Sequence, residues 1–290
     1  MELVRWERRP QLRRPVLIAA FEGWNDAGES ASTAVRYLAA SWGARRFATI
    51  DHEEFYDFTS TRPEVRVDDD LNRRIEWPTL ELSAAHLPGP ERDVIFLIGP
   101  EPQLKWRTFC AAVLGVARAL NVQLAVTLGA LLTDIPHTRP VRITGSAASA
   151  SLAGELGLQR SRYEGPTGIL GVLNDALGRA DVETATLWAA VPHYVSQVPS
   201  PKAALALVER TAELLEATIA VTDLQISAAA YERQVTDRVE ADEEAVAYVR
   251  QLEEAVEDDD DEDETDELEI PSTDALADEV ERFLRDHGQG

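Results

Sequence analysis

The sequence predicts an α/β protein whose sheet is covered by helices on both faces. Two patterns carry this reading. Through roughly the first 200 residues, short runs rich in Val, Ile and Leu alternate with stretches of helical spacing; beyond them the apolar spacing is helical only. In chain order, RPVLIAAF (14–21) reads as a buried strand, ESASTAVRYLAASWG (29–43) as a helix ended by Gly43, and ARRFATID (44–51) as a second strand. An excursion over about 52–86 follows, in which EVRVD and RRIEWPTLEL flank the turn-like DDLN as an antiparallel hairpin or flap. RDVIFLIGPEP (92–102) resumes the core as a strand, a helix runs through Cys110, and VQLAVTLGALLTD (122–134) is another strand. RPVRITGSAASASLAGELG (139–157) reads as strand, glycine-serine turn and helix, RYEGPTGILGVLNDALG (162–178) as short strand, turn and helix, and ETATLWAAVPHYV (183–195) as the last core strand. Residues 203–220 and 226–256 have the spacing of two long amphipathic helices.

This divides the chain into a core over 1–200, a helical extension over 201–256 packed on it, an acidic disordered linker over 257–270, and a short tethered helix over 271–290. The linker follows from charge: thirteen of the seventeen residues from 253 to 269 are acidic, and like charges without apolar residues cannot form a core. The last segment starts with Pro271 and a Ser272 or Thr273 cap and puts Leu276, Val280, Phe283 and Leu284 on one face. A helix that short is marginal in water alone.

Charge also narrows the partners. With 28 basic and 52 acidic residues the formal charge is −24, a field that repels nucleic acid and anionic lipid. Most of the excess lies in residues 251–290, with 2 basic and 18 acidic groups. The N-terminus starts basic, but its apolar run is only about eight residues and ends in Glu22, and no run of about 18 apolar residues occurs anywhere, so neither a secretion signal nor a membrane span is expected. Cys110 is the lone cysteine, read as a buried small hydrophobe in a reducing compartment. A cytoplasmic protein is expected.

Candidate chemistry concentrates in three turns. FEGWNDAG puts Glu22, Trp24, Asn25 and Asp26 at the carboxyl end of a strand, where open α/β sheets hold ligands. It matches no phosphate-binding motif, and capping of the next helix by Asn25 or Asp26 explains it as well as an anion site does. TGSAAS (144–149) and EGPTG (164–168) offer Thr144, Ser146, Glu164 and Thr167, small residues and hydroxyls suited to an anion cradle or to ordinary N-caps. Asp134, His137 and Ser146 raise a triad that lacks the G-x-S-x-G elbow, and DIPHTRP reads as a loop with its His and Asp exposed. The five histidines, His52 among them, are scattered without metal-ligand spacing, so neither a metal nor another cofactor is expected.

Taken in order, LIAAFEGWNDAGESASTAVRYLA, VIFLIGPEPQLKW, AVTLGALLTDIPHTRPVRITGSA, YEGPTGILGVLNDAL and LWAAVPHYVSQVPSPKAALALVERTAELL resemble the proteasome assembly chaperone type 2 family in its actinobacterial form, over about residues 1–235. The resemblance implies a three-layer α/β/α fold with a mixed sheet, phosphorylase/hydrolase-like, and self-association, with a trimer as one candidate. It implies a non-catalytic protein-binding role, since eukaryotic and archaeal relatives chaperone assembly of the 20S proteasome or dock on it. Relatives that dock on α-rings tend to use a C-terminal hydrophobic-Tyr-X tail; FLRDHGQG has no matching Tyr. The competing reading, by fold analogy, is a small-molecule or group-transfer enzyme whose cleft uses Glu22, Asn25, Thr144, Ser146, Glu164 and Thr167, with Glu22 or Glu164 as acid or base.

Overall fold

Val16–Glu22 has no polar residue before its last position, and the structure explains why: Val16, Ile18 and Ala20 join one core cluster while Leu17, Ala19 and Phe21 join a second on the opposite face. A strand buried on both sides reads as a continuous apolar run. The structure is a computed structural model that describes residues 3–260, apart from positions 52, 70, 88, 90, 91 and 162; the predicted terminal helix (271–290), most of the acidic linker and His52 lie outside the described residues.

The elements are β1 (Val4–Trp6), β2 (Val16–Glu22), α1 (Ser30–Ser41), β3 (Arg45–Ile50), β4 (Glu64–Val67), β5 (Arg73–Glu76), β6 (Leu80–His86), β7 (Asp93–Pro100), α2 (Trp106–Ala119), β8 (Leu124–Thr133), β9 (Ile143–Ala147), α3 (Ala150–Leu156), α4 (Ile169–Gly178), β10 (Glu183–Pro192), α5 (Pro201–Leu214), α6 (Thr222–Glu240) and α7 (Glu243–Asp260). Eight strands form one mixed sheet in the order β1-β3-β6-β7-β2-β8-β10-β9. The central β7, β2, β8 and β10 are parallel neighbours, flanked by antiparallel β6, β3 and β1 on one side and β9 on the other. Helices α1 and α5 cover one face, α2 and α4 the other, which makes the expected three layers. Cys110 lies buried in the second cluster, where burial pushes its thiol up to about 11.

Several elements differ from their sequence reading. RRIEWPTLEL is not one hairpin arm: it divides at Trp77–Thr79, because Pro78 cannot donate to a ladder, and its second part is the main-sheet strand β6. Only β4 and β5 form the separate two-stranded arm. Residues 163–168 form no strand. The second long helix breaks after Glu240, where the Asp242 carboxylate accepts from the Glu244 and Ala245 amides (2.9 and 3.3 Å) and caps a new helix. That helix, α7, continues four residues into the stretch expected as linker, since propagating a nucleated helix costs little.

His137, expected to be exposed, is buried at 3% exposure and joins the core to the C-terminal helices. The Tyr194 hydroxyl accepts from the His137 amide and donates to its Nδ1 (both 2.7 Å), while Nε2–H donates to Thr236 Oγ1 on α6 at 3.0 Å. Thr236 in turn donates to the Glu232 carbonyl, which leaves its oxygen to accept from Nε2–H, and a neutral imidazole then offers Nδ1 as the acceptor for the Tyr194 hydroxyl. Burial first, then the Lys202 ammonium, holds the His137 pKa below its ordinary value. With the folded pKa depressed, the unfolded chain binds the extra proton first. This group's contribution is therefore complete above about pH 6.5 and declines as the pH falls from there toward the folded value. Denaturation midpoints measured from pH 7.5 to 5 are expected to fall for the wild type and to fall less steeply for His137→Gln; equal slopes would contradict the neutral lock.

Candidate functional site

The loop after β2 and the loop after β7 meet at the carboxyl edge of the sheet. Helix α1, following β2, packs on one face and α2, following β7, on the other, so the two chains part there and leave the crevice in which open α/β folds seat ligands. The groups lining that edge are engaged with one another. Glu22 pairs with Arg36 of α1. Gly23, at φ 122°, turns the chain, and its carbonyl accepts from the Asp26 amide at 3.1 Å. Asn25 is buried; its carbonyl accepts from Ala130 on β8 (2.9 Å), and its Nδ2 donates to Glu101 Oε1 at 3.1 Å. Asp26 is buried as well, its Oδ1 accepting from the Ala31 and Ser32 amides at 2.7 and 3.1 Å in the first turn of α1. Burial raises its pKa and these hydrogen bonds oppose the rise.

Glu101 decides what this edge can hold. Its Oε1 also accepts from the Ile169 amide at 3.4 Å, the first residue of α4, so a carboxylate of the chain already sits where a helix N-terminus would cradle a ligand's anion. Glu101 follows β7 in GPEP as Glu22 ends β2 in FEG; the shared strand-end position was the signal in the sequence, and its meaning depended on a partner 76 residues away. Between the buried Asn25 and the loop start, Trp24 remains 52% exposed.

Beside this edge lies a cavity of about 800 Å³ bounded by β9, β10, α4 and the Trp24 loop. Five of the proposed residues line it: Trp24, Asn25, Thr144, Ser146 and Thr167. Glu22, Asp26 and Glu164 do not, the first two being tied to α1 and Glu164 being exposed in the loop before α4. Thr144 and Ser146 stand in β9 opposite Trp188 and Thr186, so TGSA is an edge strand rather than the expected turn, and its backbone is engaged in the ladder instead of cradling an anion. The helix cap in that region is Ser149, whose Oγ accepts from the Leu152 amide at 3.1 Å. The Thr167 hydroxyl folds over the first turn of α4 where Gly171 leaves room for it. The triad residues have separate partners: His137 has Tyr194 and Thr236, Asp134 has Tyr248, and Ser146 lies in β9. Among the described residues, the lining carboxylate is Asp175, which pairs with Arg179 at 3.0 Å.

A family model described as the PAC2 family matches residues 20–239. Among solved structures, the chain is similar to a PAC2 family protein from Streptomyces avermitilis at 47% identity and a TM-score of 0.76, over 81% of this chain and 99% of that one. It is similar to a proteasome-assembly chaperone homologue from Mycobacterium tuberculosis at 48% identity and a TM-score of 0.73, again over 81% of this chain and 99% of that one. An archaeal proteasome activator from Pyrococcus furiosus shares the fold at 17% identity and a TM-score of 0.67, over 83% of this chain and 100% of that one. No curated protein matches the chain. Among the described residues no helix is long and apolar enough to cross a membrane.

Proposed function

The chain belongs to the PAC2 family, and from that premise we propose that it is a non-catalytic protein-binding module: a cytoplasmic homo-oligomer that assists assembly of protein complexes, with proteasome subunits as the partner class. The observation that carries this is Trp24. Its neighbours Asn25 and Asp26 are buried and hydrogen-bonded, so a large exposed indole is held on a rigid frame, the arrangement of an interface anchor. The carboxylate of Glu101 at the N-terminus of α4 supports the same reading, because it fills the position a bound anion would take. Affinity capture of the full chain from its own cells is expected to recover proteasome subunits in stoichiometric amount. Recovery of no proteasome subunit would overturn the partner assignment.

One observation favours the competing enzyme reading, the cavity itself, which is of a size that holds small molecules. Neither candidate acid lines it, and Glu22 is committed to Arg36. Turnover of a nucleoside with phosphate by the purified chain, lost in Glu22→Gln or Glu164→Gln, would establish the enzyme reading in place of the one proposed.

A further inference from the structure

The β4–β5 arm has no role in the layers or in the edge just described. Its register pairs Val65 with Ile75 and Val67 with Arg73, so Val65, Val67 and Ile75 share one face, all exposed. The other face carries the ion pairs of Arg66 with Glu64 and Glu76, and of Arg74 with Glu76. A lone two-stranded ribbon is marginal in water, and such an exposed apolar face marks an interaction surface. The turn at its end is built rather than slack: Asp68 Oδ1 accepts from the Asn72 amide at 2.8 Å and the Asp68 carbonyl accepts from the Leu71 amide at 2.9 Å. Leu71 is 81% exposed and sits at φ 64°, where its Cβ crowds the backbone and where glycine or asparagine would rest freely. Asp69, two residues before it, is exposed. This turn therefore presents a bare leucine two residues from an exposed carboxylate.

The cavity has the opposite character. In a chain of formal charge −24, its lining holds, among the described residues, Arg160, Arg179 and Arg210 against the carboxylate of Asp175. Arg179 pairs with Asp175 and Arg210 with Glu213, whereas Arg160 is exposed and has no partner among the described residues. Two more exposed rings, Trp24 and Tyr163, supply apolar surface to the same lining. An acidic tip with a bare leucine and a basic pocket with bare aromatic rings are complementary in charge and polarity, and a second copy of this chain supplies both.

We propose that the tip of one copy's β4–β5 arm seats in the cavity of a second copy, Leu71 against Trp24 and Tyr163 and Asp69 against Arg160. This rests on the homo-oligomer reading above and makes the interface heterologous, tip to pocket, which closes into a ring when the rotation allows.

The test is the mass of the full chain by sedimentation equilibrium. Leu71→Gly removes the side chain while suiting the backbone, and Arg160→Glu reverses an exposed charge, so both variants are expected to keep the wild-type circular dichroism. Each alone is expected to weaken self-association by roughly 30-fold or more. Mixed, they are expected to form a one-to-one dimer, since the intact tip of the Arg160→Glu copy meets the intact pocket of the Leu71→Gly copy. Asp69→Arg combined with Arg160→Glu is expected to restore the wild-type oligomer. A monomeric wild type would overturn the homo-oligomer reading together with this interface. An oligomeric wild type with unchanged variants, or variants that stay monomeric when mixed, would overturn the interface alone.

Discussion

Asp26→Ala is expected to destabilise the fold by about 3 kcal/mol, because it leaves two buried amides at the start of α1 without an acceptor. Asp26→Asn separates capping from charge. The raised pKa of Asp26 means that the folded state holds its carboxylate against a burial penalty, so stability from this group increases as the pH falls through the folded value toward the unfolded one. An amide at the same place keeps an acceptor and drops the charge. Near neutral pH, Asp26→Asn is therefore expected to match or exceed wild-type stability while the alanine variant falls well below it. Urea denaturation of the three proteins at pH 7 decides this; equal losses in both variants would mean that the negative charge itself holds the loop.

Gly168→Ala is expected to cost about 2–3 kcal/mol and to displace the Trp24 loop. A Cβ at this position would lie 2.7 Å from Asn25 Oδ1 and 3.1 Å from the Trp24 ring. Asn25 has nowhere to go, since it is buried and bonded to Glu101 and to β8. The clash must therefore pull α4 from the edge or push the loop outward, and the second outcome moves Trp24. A melting temperature lowered together with a shift in tryptophan emission is the expected pair of results; an unchanged melting temperature would show that the loop and α4 are not in close contact.

The central strands were legible because burial on both faces leaves no choice of residue: in β2 every position from Val16 to Phe21 is buried. The sheet margins were not. β1 is three residues long, too short to show alternation. β9 carries Gly145 and Ser146, which locally signal a turn, yet antiparallel pairing with β10 holds them extended, with Gly145 leaving space for Leu158 and Leu187. The same limit applies to the site. Asp26 as a helix cap could be read from the sequence because capping is local. The bond of Asn25 to Glu101 spans 76 residues, so the local sequence offered a cap or a ligand contact but not this partner; that of His137 to Thr236 spans 99, and there a proline-bounded loop suggested exposure where tertiary packing produces burial.

Native mass spectrometry of the full chain mixed with purified proteasome subunits from the same cells tests most directly whether this protein acts by binding other proteins. The expected result is a discrete complex whose mass is that of a homo-oligomer of this chain plus proteasome subunits. A spectrum showing this chain and the subunits only apart would contradict it.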